Sequence, residues 1–139
     1  MPASEAGSPG LLDTSVVARY LVGDEPTMAA RAAALIDSDR HLRISVIVLA
    51  ELGFLLTRFY RIDRSRVVDA LVSLLGRANI VAHEVPTDLA VEALRLCAPS
   101  GRVSFADAML WATARCAGDM GVWTFDRGFP GDGVRRQEP

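Results

Sequence analysis

Short apolar strand candidates separated by helical stretches predict an α/β fold, a three-layer sandwich with a four- to five-stranded parallel sheet between helices. Two further observations support it. The chain has 139 residues, enough for one domain with a real core. Its hydrophobic content of 50% and charged content of 23% are those of an ordinary folded domain. Residues 1–9 read as a flexible N-terminal tail and 10–139 as a single domain.

Gly10 to Asp13 reads as the first strand. Thr14 or Ser15 can cap a helix that Gly23 ends, and Pro26 suits the first turn of an Ala-rich helix reaching Ile36. Leu42 to Val46 is a second strand. A long helix then runs from about Val46 to Tyr60, with Val48, Leu52, Leu55 and Phe59 on one stripe. Asp63 opens a helix carrying Val67, Leu71, Leu74 and Leu75 and stopping at Gly76. Asn79 to His83 is a third strand, Thr87 to Leu96 a helix, and Pro99 to Arg102 a loop. A helix from Ser104 to about Ala117 precedes a fourth strand, Gly121 to Thr124, and a weak fifth around Val134.

Composition excludes several classes of function. The apolar run Val46 to Ala50 is far shorter than the roughly 20 residues of a membrane span. The opening MPASEAGSPG lacks the basic start and apolar middle of a secretory signal, so a cytoplasmic location is expected. A net charge of −2 and a pI near 5.6 disfavour non-specific nucleic-acid binding, so local charges would have to hold such a partner. All fifteen basic residues are Arg. Cys97 and Cys116 stand far apart without a metal-binding spacing and read as two buried thiols. His41 and His83 read as surface or strand-end residues.

Four acids stand out. Asp13 closes the first strand, at the sheet edge where open α/β proteins bind ligands, or else caps the next helix. Glu51 lies at the margin of the Val48–Leu52–Leu55 stripe, between Ile47 and Phe54, where a half-buried carboxylate needs a partner; an Arg would serve. Asp107 stands three residues after Ser104, as in a capping box, and Asp126 could open a turn before Arg127-Gly128. Each has a local explanation, yet a doubly wound sheet can gather all four at one edge. Two carboxylates about 4 Å apart repel by roughly 4 kcal/mol at an effective dielectric of 20. An all-oxygen cluster of this kind suits Mg²⁺ or Mn²⁺ better than Zn²⁺.

The segments LLDTSVVARYL, SVIVLAELGFLL, FADAMLWATAR and VWTFDRGF, in that order, resemble the PIN-domain nucleases, and among them the VapC-type toxins of prokaryotic toxin–antitoxin pairs. The likeness spans nearly the whole chain, although the stretch from Tyr60 to Arg102 matches only in helical character. It implies a parallel sheet between helices, an acidic pocket for Mg²⁺ or Mn²⁺, cleavage of single-stranded RNA (tRNA, rRNA or mRNA), a homodimer and a small antitoxin partner. Carried over by residue, Asp13, Glu51, Asp107 and Asp126 are the metal-binding and catalytic acids, and Thr14 and Thr124 the supporting hydroxyls.

Arg102, Arg115 and Arg127 lie near these acids in sequence and offer phosphate contacts. Trp111 and Trp123 either pack in the core or stack on unpaired bases. The apolar helices around Leu52–Tyr60 and Leu71–Leu75 exceed what a small sheet must cover, which suits a dimer partner or an antitoxin helix. Two rivals stand beside the nuclease: a non-catalytic RNA-binding or interaction module on the same fold, and an Asp-dependent phosphatase, for which LLDTS lacks the second Asp.

Overall fold

Burial along the middle strand locates the core. The computed structural model describes residues 8–139, so most of the expected 1–9 tail lies outside the described residues. In β2 (Leu42–Ser45), Leu42 and Ile44 are buried and Arg43 is partly open. Both β1 (Gly10–Leu11) and β3 (Ile80–His83) run parallel to it, with Leu42 opposite Gly10 on one side and Ile80 on the other. A separate pair, β4 (Val122–Trp123) and β5 (Arg136–Gln137), is also parallel.

The fold is thus α/β with parallel strands, but the expected single sheet of four to five strands is divided into ladders of three and two. The first strand explains the division. Beyond Leu11, its only further ladder bond among the described residues is Leu12 N–H to Arg43 O, at 2.9 Å, before the chain turns into a helix at Asp13. So short a strand offers little edge for a second neighbour. The fifth strand falls two residues later than expected, because Val134 is buried as a core residue instead.

Helix ends follow local chemistry. Asp13, rather than Thr14 or Ser15, caps α1 (Thr14–Val22), and Gly23 ends it at φ 71°, a left-handed conformation that suits glycine. Pro26 opens α2 (Pro26–Ile36), where the Glu25 carboxylate accepts from Thr27 and Met28 N–H. Ser45 leads straight from β2 into α3 (Val46–Phe54), its hydroxyl accepting from Val48 N–H.

The expected helix to Tyr60 changes at Leu55 into a π-helical turn, Leu55–Phe59. Thr57 Oγ1 donates to the carbonyls of Gly53 (2.7 Å) and Phe54 (3.3 Å), and Tyr60 N–H reaches back five residues to Leu55 O. Hydroxyl back-bonding of this kind competes with the regular ladder.

The remaining helices are α4 (Arg64–Leu75), α5 (Thr87–Leu96) and α6 (Phe105–Ala117). At the start of α4, Asp63 accepts from the Ser65 hydroxyl at 2.6 Å rather than from a backbone N–H. Helix α3 packs on β2, α4 and α5 on β3, and α6 against both α3 and α5. That central place explains why Phe105, Ala108, Met109, Trp111, Ala112 and Ala114 are all buried.

Cys97 is buried but Cys116, in the last turn of α6, is exposed, against expectation. Leu71, Leu74 and Leu75 are buried as well, so the surplus apolar surface lies instead on Ile47, Phe54 and Phe59. No helix among the described residues is long and apolar enough to cross a membrane.

Candidate functional site

Asp13 leaves β1 in extended conformation and caps α1. Its Oδ2 accepts from the Ser15 hydroxyl at 2.6 Å and from Ser15 N–H at 3.3 Å. These bonds, the hydroxyl's foremost, hold the carboxyl below its ordinary range and keep it ionised. Thr14 is buried behind it.

Asp107 lies in the first turn of α6, where Ser104 Oγ accepts from its backbone N–H at 3.0 Å. The reciprocal arm of a capping box, from the Asp107 carboxylate to Ser104 N–H, is not formed among the described residues. Instead the half-buried carboxyl lies near enough to Asp126 to feel its charge. Burial first, and the Asp126 charge second, push Asp107 above the usual carboxylate range, while the Ser104 hydroxyl works against them.

Asp126 does open a turn. Its Oδ1 accepts from Gly128 N–H at 2.7 Å, and its own N–H donates to Thr124 Oγ1 at 2.9 Å. The end of β4 therefore delivers Asp126 to the start of α6, joining two acids 19 positions apart in sequence.

Glu51 is exposed on α3, and its carboxylate has no hydrogen bond or ion pair among the described residues. Its expected half-burial fails because Ile47 and Phe54, its apolar neighbours on the helix, themselves face outward. Among the described residues no group of three or more His, Cys, Asp or Glu is gathered so as to hold a metal ion. The four-acid nest expected from the sequence is thus reduced to the Asp107–Asp126 pair, with Asp13 engaged by Ser15 and Glu51 open to solvent. Mutual repulsion and local bonding both favour that arrangement. In chemical kind, a carboxylate pair with one member already penalised for its charge fits a hard divalent cation.

The supporting residues separate. Arg102 packs on Gly128, where a Cβ would lie 3.4 Å from Arg102 Cγ, so it stands beside the Asp126 turn. Arg127 is exposed in that turn. Arg115 lies eight residues beyond Asp107, about 12 Å along the helix, with its guanidinium over the Trp111 ring at 5.6 Å. Trp111 is fully buried and donates Nε1–H to Asp132 O at 3.0 Å, whereas Trp123 is exposed. His83 ends β3, and His41 is exposed.

Sequence reasoning overlooked three contributors. Ser15 holds Asp13, as its Asp-x-Ser spacing could have signalled. Gly53 and Arg64 set the position of α6 through Phe105, with no local signal.

The family model described as PIN domain matches residues 10–131. No curated protein gives a significant match, and no solved structure does either.

Proposed function

The chain belongs to the PIN-domain family, whose members are generally nucleases, and on that premise we propose a metal-dependent endoribonuclease that hydrolyses phosphodiester bonds of single-stranded RNA as the toxin of a type II toxin–antitoxin pair. The observation that carries this reading is the approach of Asp126, in the turn after β4, to Asp107, a half-buried acid in the first turn of α6 whose charge is penalised by burial and by that neighbour. Asp13, Asp107 and Asp126, with Glu51, are the residues that would hold Mg²⁺ or Mn²⁺, which when bound supplies charge neutralisation and an acidified water.

The chain's own groups do the positioning. Ser15 keeps the Asp13 carboxylate ionised and oriented. Thr124 and Gly128 fix the Asp126 turn from both sides. The exposed Glu51 carboxylate would either complete the metal-holding set or accept a proton from water. Arg102 and Arg127, beside the Asp126 turn, contact phosphates of an RNA that the overall negative charge would otherwise repel. Exposed Ile47, Phe54 and Phe59 suit a homodimer, with a small antitoxin as a second partner.

The test incubates the purified protein with labelled single-stranded RNA and Mn²⁺ or Mg²⁺, with and without chelator, beside Asp13→Asn and Asp107→Asn. Cleavage that stops on chelation and in both variants is expected; cleavage that survives both overturns the proposal. A non-catalytic RNA-binding module on the same fold is favoured by the lack of a three-acid group among the described residues. RNA retention without cleavage under every metal condition would establish it.

A further inference from the structure

Next to Asp126 a cleft of about 360 Å³ opens between the turn after β4 and the strand β5, lined by Phe125, Asp126, Arg127, Arg136, Gln137 and Glu138. Its volume lies within the range of roughly 300–1,000 Å³ seen for small-ligand sites. Resting on the ribonuclease reading above, we infer that this cleft is a nucleotide subsite in which Phe125 stacks on a base of the RNA strand next to the cleaved phosphate.

Phe125 is the most exposed large apolar residue among the described ones, 76% open, and it stands directly before Asp126. The backbone beside the ring is braced, and the ring itself is uncovered. Thr124 Oγ1 and Gly128 N–H bind Asp126 from either side, and Phe129 N–H donates to Asp126 O at 3.1 Å. With the backbone braced, only the torsions of the ring itself remain to be ordered when a flat partner settles on it. Every base has a π-face, so stacking of this kind tolerates many sequences.

Charge supports the same occupant. Arg136 Nη1 donates to Arg127 O and to Phe129 O, each at 3.0 Å, which fixes the guanidinium across the turn. Its Nη2, like the whole Arg127 guanidinium, has no hydrogen-bond partner among the described residues and is free for phosphate. Glu138 would repel a phosphate, whereas together with the Gln137 amide it offers acceptors and donors for a base edge. A cleft with cations, an aromatic ring and base-edge groups beside the acid pair fits a nucleotide better than a peptide.

The experiment uses the full chain and a short single-stranded oligoribonucleotide carrying 2-aminopurine, with binding measured in chelator and cleavage in Mn²⁺. Loss of one base stack weakens binding by about 5- to 150-fold. Phe125→Ala is therefore expected to raise Kd and KM by that factor with kcat little changed and to abolish 2-aminopurine quenching, while Phe125→Trp restores both. An unaltered melting temperature shows that the exposed position leaves folding intact. Trp123→Ala is the control, because Trp123 is 63% exposed at the end of β4, two residues before Phe125, but outside the cleft.

Unchanged Kd and KM in Phe125→Ala, an equal loss in Trp123→Ala, or no RNA binding by the wild type would each overturn the subsite. Failure of the broader reading looks different. A wild type that binds and quenches the probe without ever cutting RNA keeps the subsite and sinks the nuclease, whereas cutting undiminished by Phe125→Ala does the reverse.

Discussion

The Phe105 ring occupies the space where Gly53 would carry a side chain: a Cβ at Gly53 would lie 2.1 Å from Phe105 Cγ. Gly53 is two residues after Glu51 and Phe105 two before Asp107, so this contact fixes how closely the helices bearing the two acids approach. Gly53→Ala gains about 1 kcal/mol of helix propensity, but overpacking of a tight core typically costs about 1–3 kcal/mol. The clash is with a ring buried in the core, which puts the cost at the upper end of that range, so a net loss of about 2 kcal/mol in urea unfolding is expected, together with reduced activity. In the double variant with Phe105→Ala the two losses should be strongly non-additive. A Gly53→Ala protein as stable as the wild type would mean that α3 and α6 do not meet this closely.

Asp107 gives a stability test with a definite sign. Its folded-state pKa is raised by burial and by Asp126, so between the unfolded value of about 3.9 and the raised folded value the native state binds the extra proton. Stability falls as pH rises through that window, and the cost is complete above it. Without metal, Asp107→Asn should be more stable than the wild type at pH 7, by about 0.5–1 kcal/mol because solvent screens a half-open pair. The gain should vanish below about pH 4. Equal stability at both pH values would show that the two carboxyls do not sense each other.

Divalent cations should reverse that order. An ion that binds only the folded state stabilises by RT ln(1 + [L]/Kd), about 2.7 kcal/mol at a hundredfold excess over Kd. Thermal melts with and without Mn²⁺ should therefore show a rise in Tm for the wild type that Asp107→Asn and Asp126→Asn lack. Equal shifts in all three would place the ion elsewhere.

Much of the fold was legible because its punctuation is local. Gly23, Pro26 and Ser104 act within a turn of themselves, and the helices they bound fall where the sequence places them. The π-turn at Leu55–Phe59 was hidden because it depends on where Thr57 sends its hydroxyl. Asp13 and Asp126 could be read individually as a cap and a turn, and both are. That Asp126 meets Asp107 depends on the tertiary path of β4 and α6, whereas exposed Glu51 shows that an apolar stripe does not reveal which of its edges is covered.

Arg64 holds the loop that precedes the Asp107 helix. Its Nε donates to Cys97 O at 2.5 Å, its Nη2 donates to Val103 O, and its guanidinium stacks over the Phe105 ring at 4.7 Å. Hydrogen bonds from a charged group contribute about 1.5–3 kcal/mol, so Arg64→Ala should lose about 2–3 kcal/mol. Arg64→Lys should recover only part of that, because an ammonium lacks the fork that reaches two carbonyls. Thiol labelling adds an independent readout. Burial pushes the Cys97 thiol up to about 11, and Arg64 is the group that opposes the rise. Removing Arg64 in an otherwise unchanged structure would therefore make Cys97 less of a thiolate and slower to react. If Arg64 pins the loop, its loss should instead open the path to Cys97, and labelling should become faster while exposed Cys116 reacts as before. Slower labelling of Cys97 in Arg64→Ala, with RNA cleavage intact, would reduce Arg64 to an electrostatic neighbour.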